Sequence, residues 1–435
     1  METALAPAVG ADDVRAIVQA AGEPQWLAAW RHDAWDAYAA APLPDRVVHL
    51  WRYTDPAKFL PDRVTPILPA ESPAPESEIP AGVQETAAGM AIVEDGVLQT
   101  CYLEPRWRDA GVVLTGLASA ALQYPELVQE HLGNVVGAEA GKFEALNAAL
   151  FAGGLFLFIP GDLHIEQPFL LFRRGSVDRS ALFPRLLLLV ESGTEATVID
   201  EYSSPGDLRL LAHAVVEGKV LDNARLSYFN VQRWGERTRS HAHQHFDLMR
   251  DASVTTVNIG LGGRYNKAHL TNMLRGHNAQ SEMIGVIFGN HKQHFDNHTE
   301  HIHAVGNTHS DMDFKVVLED RARSAYTGLI RIELEARNSE AYQENRNLML
   351  DPECRAESIP ELEILNQDVR CTHGATVGPI DEEQVYYLQT RGLGRRDAER
   401  LIVEGFFGPA LDRIQEDSLR HRLWDYVDSK IKGRT

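Results

Sequence analysis

Eleven of the chain's 18 histidines fall between His241 and His309. His241, His243 and His245 alternate, as do His301 and His303, and in a β-strand such residues share one face. Imidazole binds iron, copper and zinc, so these five are candidate metal ligands. Residues two apart on a strand lie along a surface rather than around a point, so a site needs further ligands from other strands. Without them the side chains are solvated or hydrogen-bonded. Asp296, Glu300, Asp311 and Asp313 are carboxylates in the same region, and their spacing singles out no set. Cys371 and His373 form a sharper pair: on a strand they share a face and offer a soft sulfur and an imidazole, both competent for iron or an iron–sulfur cluster. Two ligands cannot complete a cluster, which therefore demands distant residues or a second subunit; a buried cysteine beside a polar histidine is the plain structural alternative.

Other catalytic signatures are missing. Gly137, Gly141 and Lys142 invite comparison with a phosphate-binding loop, but the glycine spacing is one residue short and Phe143 stands where a magnesium-binding hydroxyl belongs. The chain is thus not expected to bind nucleotide. It has no GxSxG elbow, HExxH pair or dinucleotide-binding glycine fingerprint.

The elements that must position these residues follow from periodicity. Val14, Ile17 and Val18, then Trp26, Leu27, Trp30 and Tyr38, predict two helices between Ala11 and Ala41, with the tryptophans as packing anchors. Nine prolines from Pro42 to Pro80 disfavour a regular helix or central strand there, so the stretch reads as linker or loop. Residues 90–103 read as a hairpin about Asp95-Gly96, and a helical pattern returns from Leu117 to Leu150. From Leu155 to Val377, short runs rich in Val, Ile, Leu, Phe and Thr predict more than ten strands and a mostly β body. Sandwich, barrel and solenoid all fit, and no strict short repeat selects among them. Turns are expected at Gly374 and Gly378-Pro379. An amphipathic helix from Arg395 is expected to carry Ala398, Leu401, Ile402, Gly405 and Phe406 on one side, to break at Gly408-Pro409, and to be followed by another through Leu411, Ile414, Leu423, Trp424, Val427 and Ile431.

At 435 residues the chain can bury a large core, and a net charge of −20 disfavours nucleic acid and anionic membranes as partners. Three cysteines, Cys101, Cys354 and Cys371, with no CxxC pair, argue against a disulfide framework and for a reducing cytoplasm. Cys101 and Cys354 read as packing residues. No apolar run approaches bilayer-spanning length, and the first residues lack the basic start of a signal peptide.

Taken together, residues 368–378, Ile380-Asp381 and the segment from Tyr387 to Gly392 resemble the SufB/SufD family of iron–sulfur cluster assembly proteins. Trp51 to Asp55, Lys142 to Leu150 with Gly153-Gly154, and Gln343 to Leu350 share the resemblance. The SufD branch fits better, because Leu388 follows Tyr387 where SufB carries a cysteine. The resemblance implies a right-handed parallel β-helix over residues 151–378, an N-terminal region over 1–150 and a C-terminal helical domain over 379–435. It further implies a non-catalytic scaffold subunit that pairs with SufB and docks the ATPase SufC through the C-terminal helices, with Arg391, Leu401, Ile402, Gly405 and Phe406 as contact candidates. His373 would face a transient cluster at the SufB interface, with Cys371 in the same motif. A homodimer of the isolated chain, a self-associating SufB-like scaffold and a histidine-metal solenoid enzyme are the alternatives.

Overall fold

The computed structural model describes residues 9–47, 49–62, 64–66, 86–413 and 417–432; Pro69, Pro73, Pro75, Pro80 and Ile414 lie outside them. Its centre is a parallel β-solenoid of about eight turns, flanked by helices from both ends of the chain. Each turn contributes one strand to an 11-stranded sheet ending at Arg355–Ile364 and one to a 10-stranded sheet ending at Val369–Pro379. In the first sheet, Leu211, Arg239, Tyr265, His294, Arg323 and Arg355 stand in register on successive strands. The hairpin Gly89–Glu94 and Val97–Leu103 joins the second sheet by parallel pairing with Phe169–Arg174.

The solenoid's period is visible in its turns. Asn223, Asp251, Asn278, Asn307 and Asn338 all have φ between 56° and 61°, and each stands just ahead of a strand of the 10-stranded sheet. Asn and Asp tolerate this left-handed conformation because their short side chains bond locally. Their intervals drift between 27 and 31 residues, so no strict repeat shows in the sequence.

Strands covered on both faces are apolar throughout, as in Arg185–Val190, where every residue is buried. The helices Ala11–Ala21, Gln25–Ala40 and Lys142–Leu150 cover the outer face of the 11-stranded sheet, where Val14, Leu27, Trp51, Phe59, Phe143 and Phe151 pack with Leu187, Leu189 and Leu211. Trp26, Trp30 and Trp35 also pack on this cluster, as anchors. The helical stretch expected from Leu117 to Leu150 is broken into Leu117–Gln123, Pro125–His131, a 3-10 turn and Lys142–Leu150. Pro125 starts one piece, and glycines at 133, 137 and 141 interrupt the rest.

The helices Glu382–Thr390, Arg395–Leu411 and Asp417–Lys432 pack on the outer face of the 10-stranded sheet. Here two expectations need correction. Arg395–Leu411 continues through Pro409, which falls in its last turn, so the bond that its missing N–H would make to Gly405 O is forgone only at the helix end. Gly374 lies inside the strand Val369–Pro379, and Gly378-Pro379 form its last two residues rather than a turn, since that strand pairs without interruption with Ser339–Met349. Among the described residues, no helix is long and apolar enough to cross a membrane.

Candidate functional site

The last turn leaves the solenoid open. Arg355–Ile364 pairs only with Arg323–Ile332, and Val369–Pro379 only with Ser339–Met349, so among the described residues each presents a free edge of backbone donors and acceptors. Leu362, Ile364, Leu365 and Val377 are exposed on this turn. Register places Cys371 over Ala341 and His373 over Gln343, on the face turned to the solenoid interior. Cys371 is half-buried with Val369 against Ala341, Ile332 and Tyr326. Burial pushes its thiol up to about 11, so at neutral pH it is protonated and a metal would have to displace that proton. His373 is exposed at the mouth, above the buried Gln343, whose Nε2 donates to Glu361 O at 3.4 Å and whose Oε1 has no partner among the described residues. The chain thus offers one accessible imidazole and one masked thiol beside a strand edge.

A second surface lies on the C-terminal helices. Arg395–Leu411 buries Ala398, Val403, Phe407, Ala410 and Leu411 against the sheet. Of the remaining residues of the expected side, Leu401 and Gly405 are exposed, whereas Ile402 and Phe406 are half-buried and pack against the edge of that core. The exposed Arg391 donates to Tyr387 Oη at 3.2 Å, beside a further exposed ring, Tyr386.

The histidines divide between the two faces of the 11-stranded sheet. His241, His243 and His245 point outward: His243 Nδ1 lies 2.9 Å from Glu144 Oε1, His241 stacks on Trp51, and His245 Nε2 lies 3.3 Å from Asp247 Oδ1. His301 and His303 point inward, where His301 meets Ser281 and His303 meets Thr308 and Ser310. The sheet therefore does not bring these five together. It does assemble His269, His298 and Glu300, whose ligand atoms lie within 4.8 Å of one another. His269 and His298 escaped the alternation pattern, because their relation to His243 is a cross-strand register at intervals of 26 and 29 residues. Burial, reinforced by His243, lowers the His269 pKa to about 4. Burial opposes ionisation of Glu300, but its two imidazole neighbours, His269 at 3.5 Å and His298 at 3.0 Å, prevail and hold its carboxyl below the usual range.

The sequence matches the SufBD core domain of the SUF system for iron–sulfur cluster assembly over residues 172–406, and the SufBD N-terminal region over 13–171. The iron–sulfur cluster assembly protein SufD of Bacillus subtilis is 27% identical over 94% of this chain and 95% of its own. A SufBD family protein of Staphylococcus saprophyticus is 26% identical over 76% of this chain and 71% of its own, and one of Porphyra purpurea 27% identical over 72% and 66%. A β-solenoid with helices at both ends and both family regions along its length makes the chain a member of the SufBD family of iron–sulfur cluster assembly proteins.

Proposed function

We propose that this chain is a SufD-like, non-catalytic subunit of a scaffold with SufB and SufC, working in the cytoplasm, on which iron–sulfur clusters are built. The observation that carries this reading is the open last turn, where free strand edges, exposed Leu362, Ile364 and Val377, and His373 occur together. A partner solenoid pairing edge to edge would satisfy the backbone groups and cover the apolar side chains. It would also bring the further ligands that His373 lacks. The cluster is cargo: His373 supplies an imidazole to it, and Cys371 adds a sulfur if iron displaces its proton. The outward side of Arg395–Leu411 supports docking of SufC, whose ATP-driven closure would turn the paired solenoids against each other and open the His373 mouth.

Co-expression with SufB and SufC tests the proposal, comparing wild type with His373→Ala for complex mass, iron and sulfide. His373 is exposed, so the substitution leaves stability within about 0.5 kcal/mol. The expected result is an intact complex that has lost its cluster. A mutant complex with full iron and sulfide assigns His373 a structural role. Failure of the wild type to form the complex refutes the partners, and a two-copy species that holds cluster without SufB points to a self-associating scaffold.

A further inference from the structure

We infer that His269, His298 and Glu300 form a binding site for one divalent first-row transition-metal ion on the outer face of the 11-stranded sheet. The register creates it. His298 and Glu300 are two apart on one strand, and His269 stands directly across from His298 on the neighbouring strand. Glu300 Oε1 lies 3.0 Å from His298 Nε2 and 3.5 Å from His269 Nε2. An ion with ligand bonds of about 2.1 Å holds tetrahedral donors about 3.4 Å apart, so both nitrogen-to-carboxylate separations are near those of a bound set, and all three donors lie within 4.8 Å of one another.

The surroundings are those of a held ligand set. Thr271 Oγ1 donates to Glu300 Oε2 at 3.3 Å and aims the other carboxylate oxygen at the imidazoles. The His269 ring packs on His243 at 4.4 Å between centroids, and His243 is in turn fixed by Glu144. Without an ion the cluster is incomplete: among the described residues the buried His269 Nε2 meets Glu300 Oε1 only at 3.5 Å, without a well-formed hydrogen bond, and no lysine or arginine pairs with Glu300. Such orphaned groups are costly, and a cation between the three donors removes the cost. The His269 and Glu300 side chains keep 17% and 20% exposure, which leaves a route for the ion and a coordination position for water. Two imidazoles and one carboxylate suit zinc or iron(II) rather than calcium or magnesium. The site stands two strands before the end of its sheet and on the outer face, whereas His373 faces the interior of the last turn, so the inference does not depend on the SufB reading.

The full chain, stripped with chelator, is titrated with cobalt(II) alone and with zinc(II) alone, following visible d–d absorption and calorimetry. One equivalent of each is expected, with zinc displacing cobalt. Affinity falls at least tenfold in His269→Ala and Glu300→Gln, and about tenfold or more in Thr271→Val. His373→Ala binds as wild type. Circular dichroism establishes that each variant is folded; should His269→Ala fail to fold, Glu300→Gln, which keeps the size of the side chain, decides. No stoichiometric ion in the wild type, unchanged binding in folded Glu300→Gln, or loss of the ion in His373→Ala overturns the assignment.

Discussion

Replacing Arg185 by methionine cuts a fully buried polar tie between the solenoid and the N-terminal region. Arg185 and Glu217 are both fully buried, with Nη2 at 2.6 Å and Nε at 3.1 Å from Glu217 Oε1. The same guanidinium donates to Asn147 Oδ1 at 3.0 Å and Val136 O at 2.7 Å, and Asn147 spans to Pro184 O and His213 O. Methionine keeps the apolar stem but strands a buried carboxylate on the backbone amides of Gly133 and Val136 alone. Breaking one side of such a pair costs about 3–5 kcal/mol. With a urea m-value near 3 kcal/mol/M, the unfolding midpoint falls by about 1–2 M. Tryptophan fluorescence reads it, since Trp30 lies 5.3 Å from the guanidinium. The double variant Arg185→Met/Glu217→Gln removes the uncompensated charge, and its loss falls short of the summed single losses by about 0.5–3 kcal/mol. A single variant within 1 kcal/mol of wild type, or strictly additive losses, would refute the reasoning.

Two further outcomes test the C-terminal surface and the buried histidines. On the helix Arg395–Leu411, Phe407→Ala removes a fully buried ring and costs about 3–5 kcal/mol in denaturant, whereas Leu401→Glu costs less than about 0.5 kcal/mol yet reduces SufC retained on co-purification; equal retention removes Leu401 from the docking surface. His213 is buried between the Phe143 and Phe183 rings, with Glu144, His241 and Arg239 as its charged or titratable neighbours, and its pKa falls from 6.5 to about 4, chiefly by burial. Because the unfolded state takes up the proton first, this group's stabilisation is complete above about pH 6.5 and is lost as pH falls toward 4, by about 3 kcal/mol in all. Urea midpoints from pH 7 to 4 should therefore fall less steeply for His213→Gln, and an identical slope would exclude His213 as the source.

Much of the architecture was legible because it depends on local chemistry. Short runs rich in Val, Ile, Leu, Phe and Thr announced the strands, the tryptophans announced a helical layer, and Asp95-Gly96 announced its hairpin. The solenoid was legible only through the family resemblance, since its period lies in left-handed Asn and Asp turns whose spacing drifts. Where the reading failed, neighbours outweighed local signals. Pro409 stays helical because it falls in the last turn of a helix already packed on the sheet, and Gly374 stays extended because Ser339–Met349 supplies its hydrogen bonds.

The candidate sites divide along the same line. Sequence alone identified the Cys371 and His373 pair and placed both on one face, because two-residue alternation is a property of any strand. It also singled out Ala398, Leu401, Ile402, Gly405 and Phe406 as one side of a helix, but not that the sheet would claim Val403 and Phe407 along with Ala398. Only the tertiary structure set His373 at an open mouth while masking Cys371, parted His241 from His301 across the sheet, and gathered His269, His298 and Glu300. Cross-strand register joins residues 26 to 32 positions apart, and which of them meet is decided by how many residues each turn of the solenoid consumes.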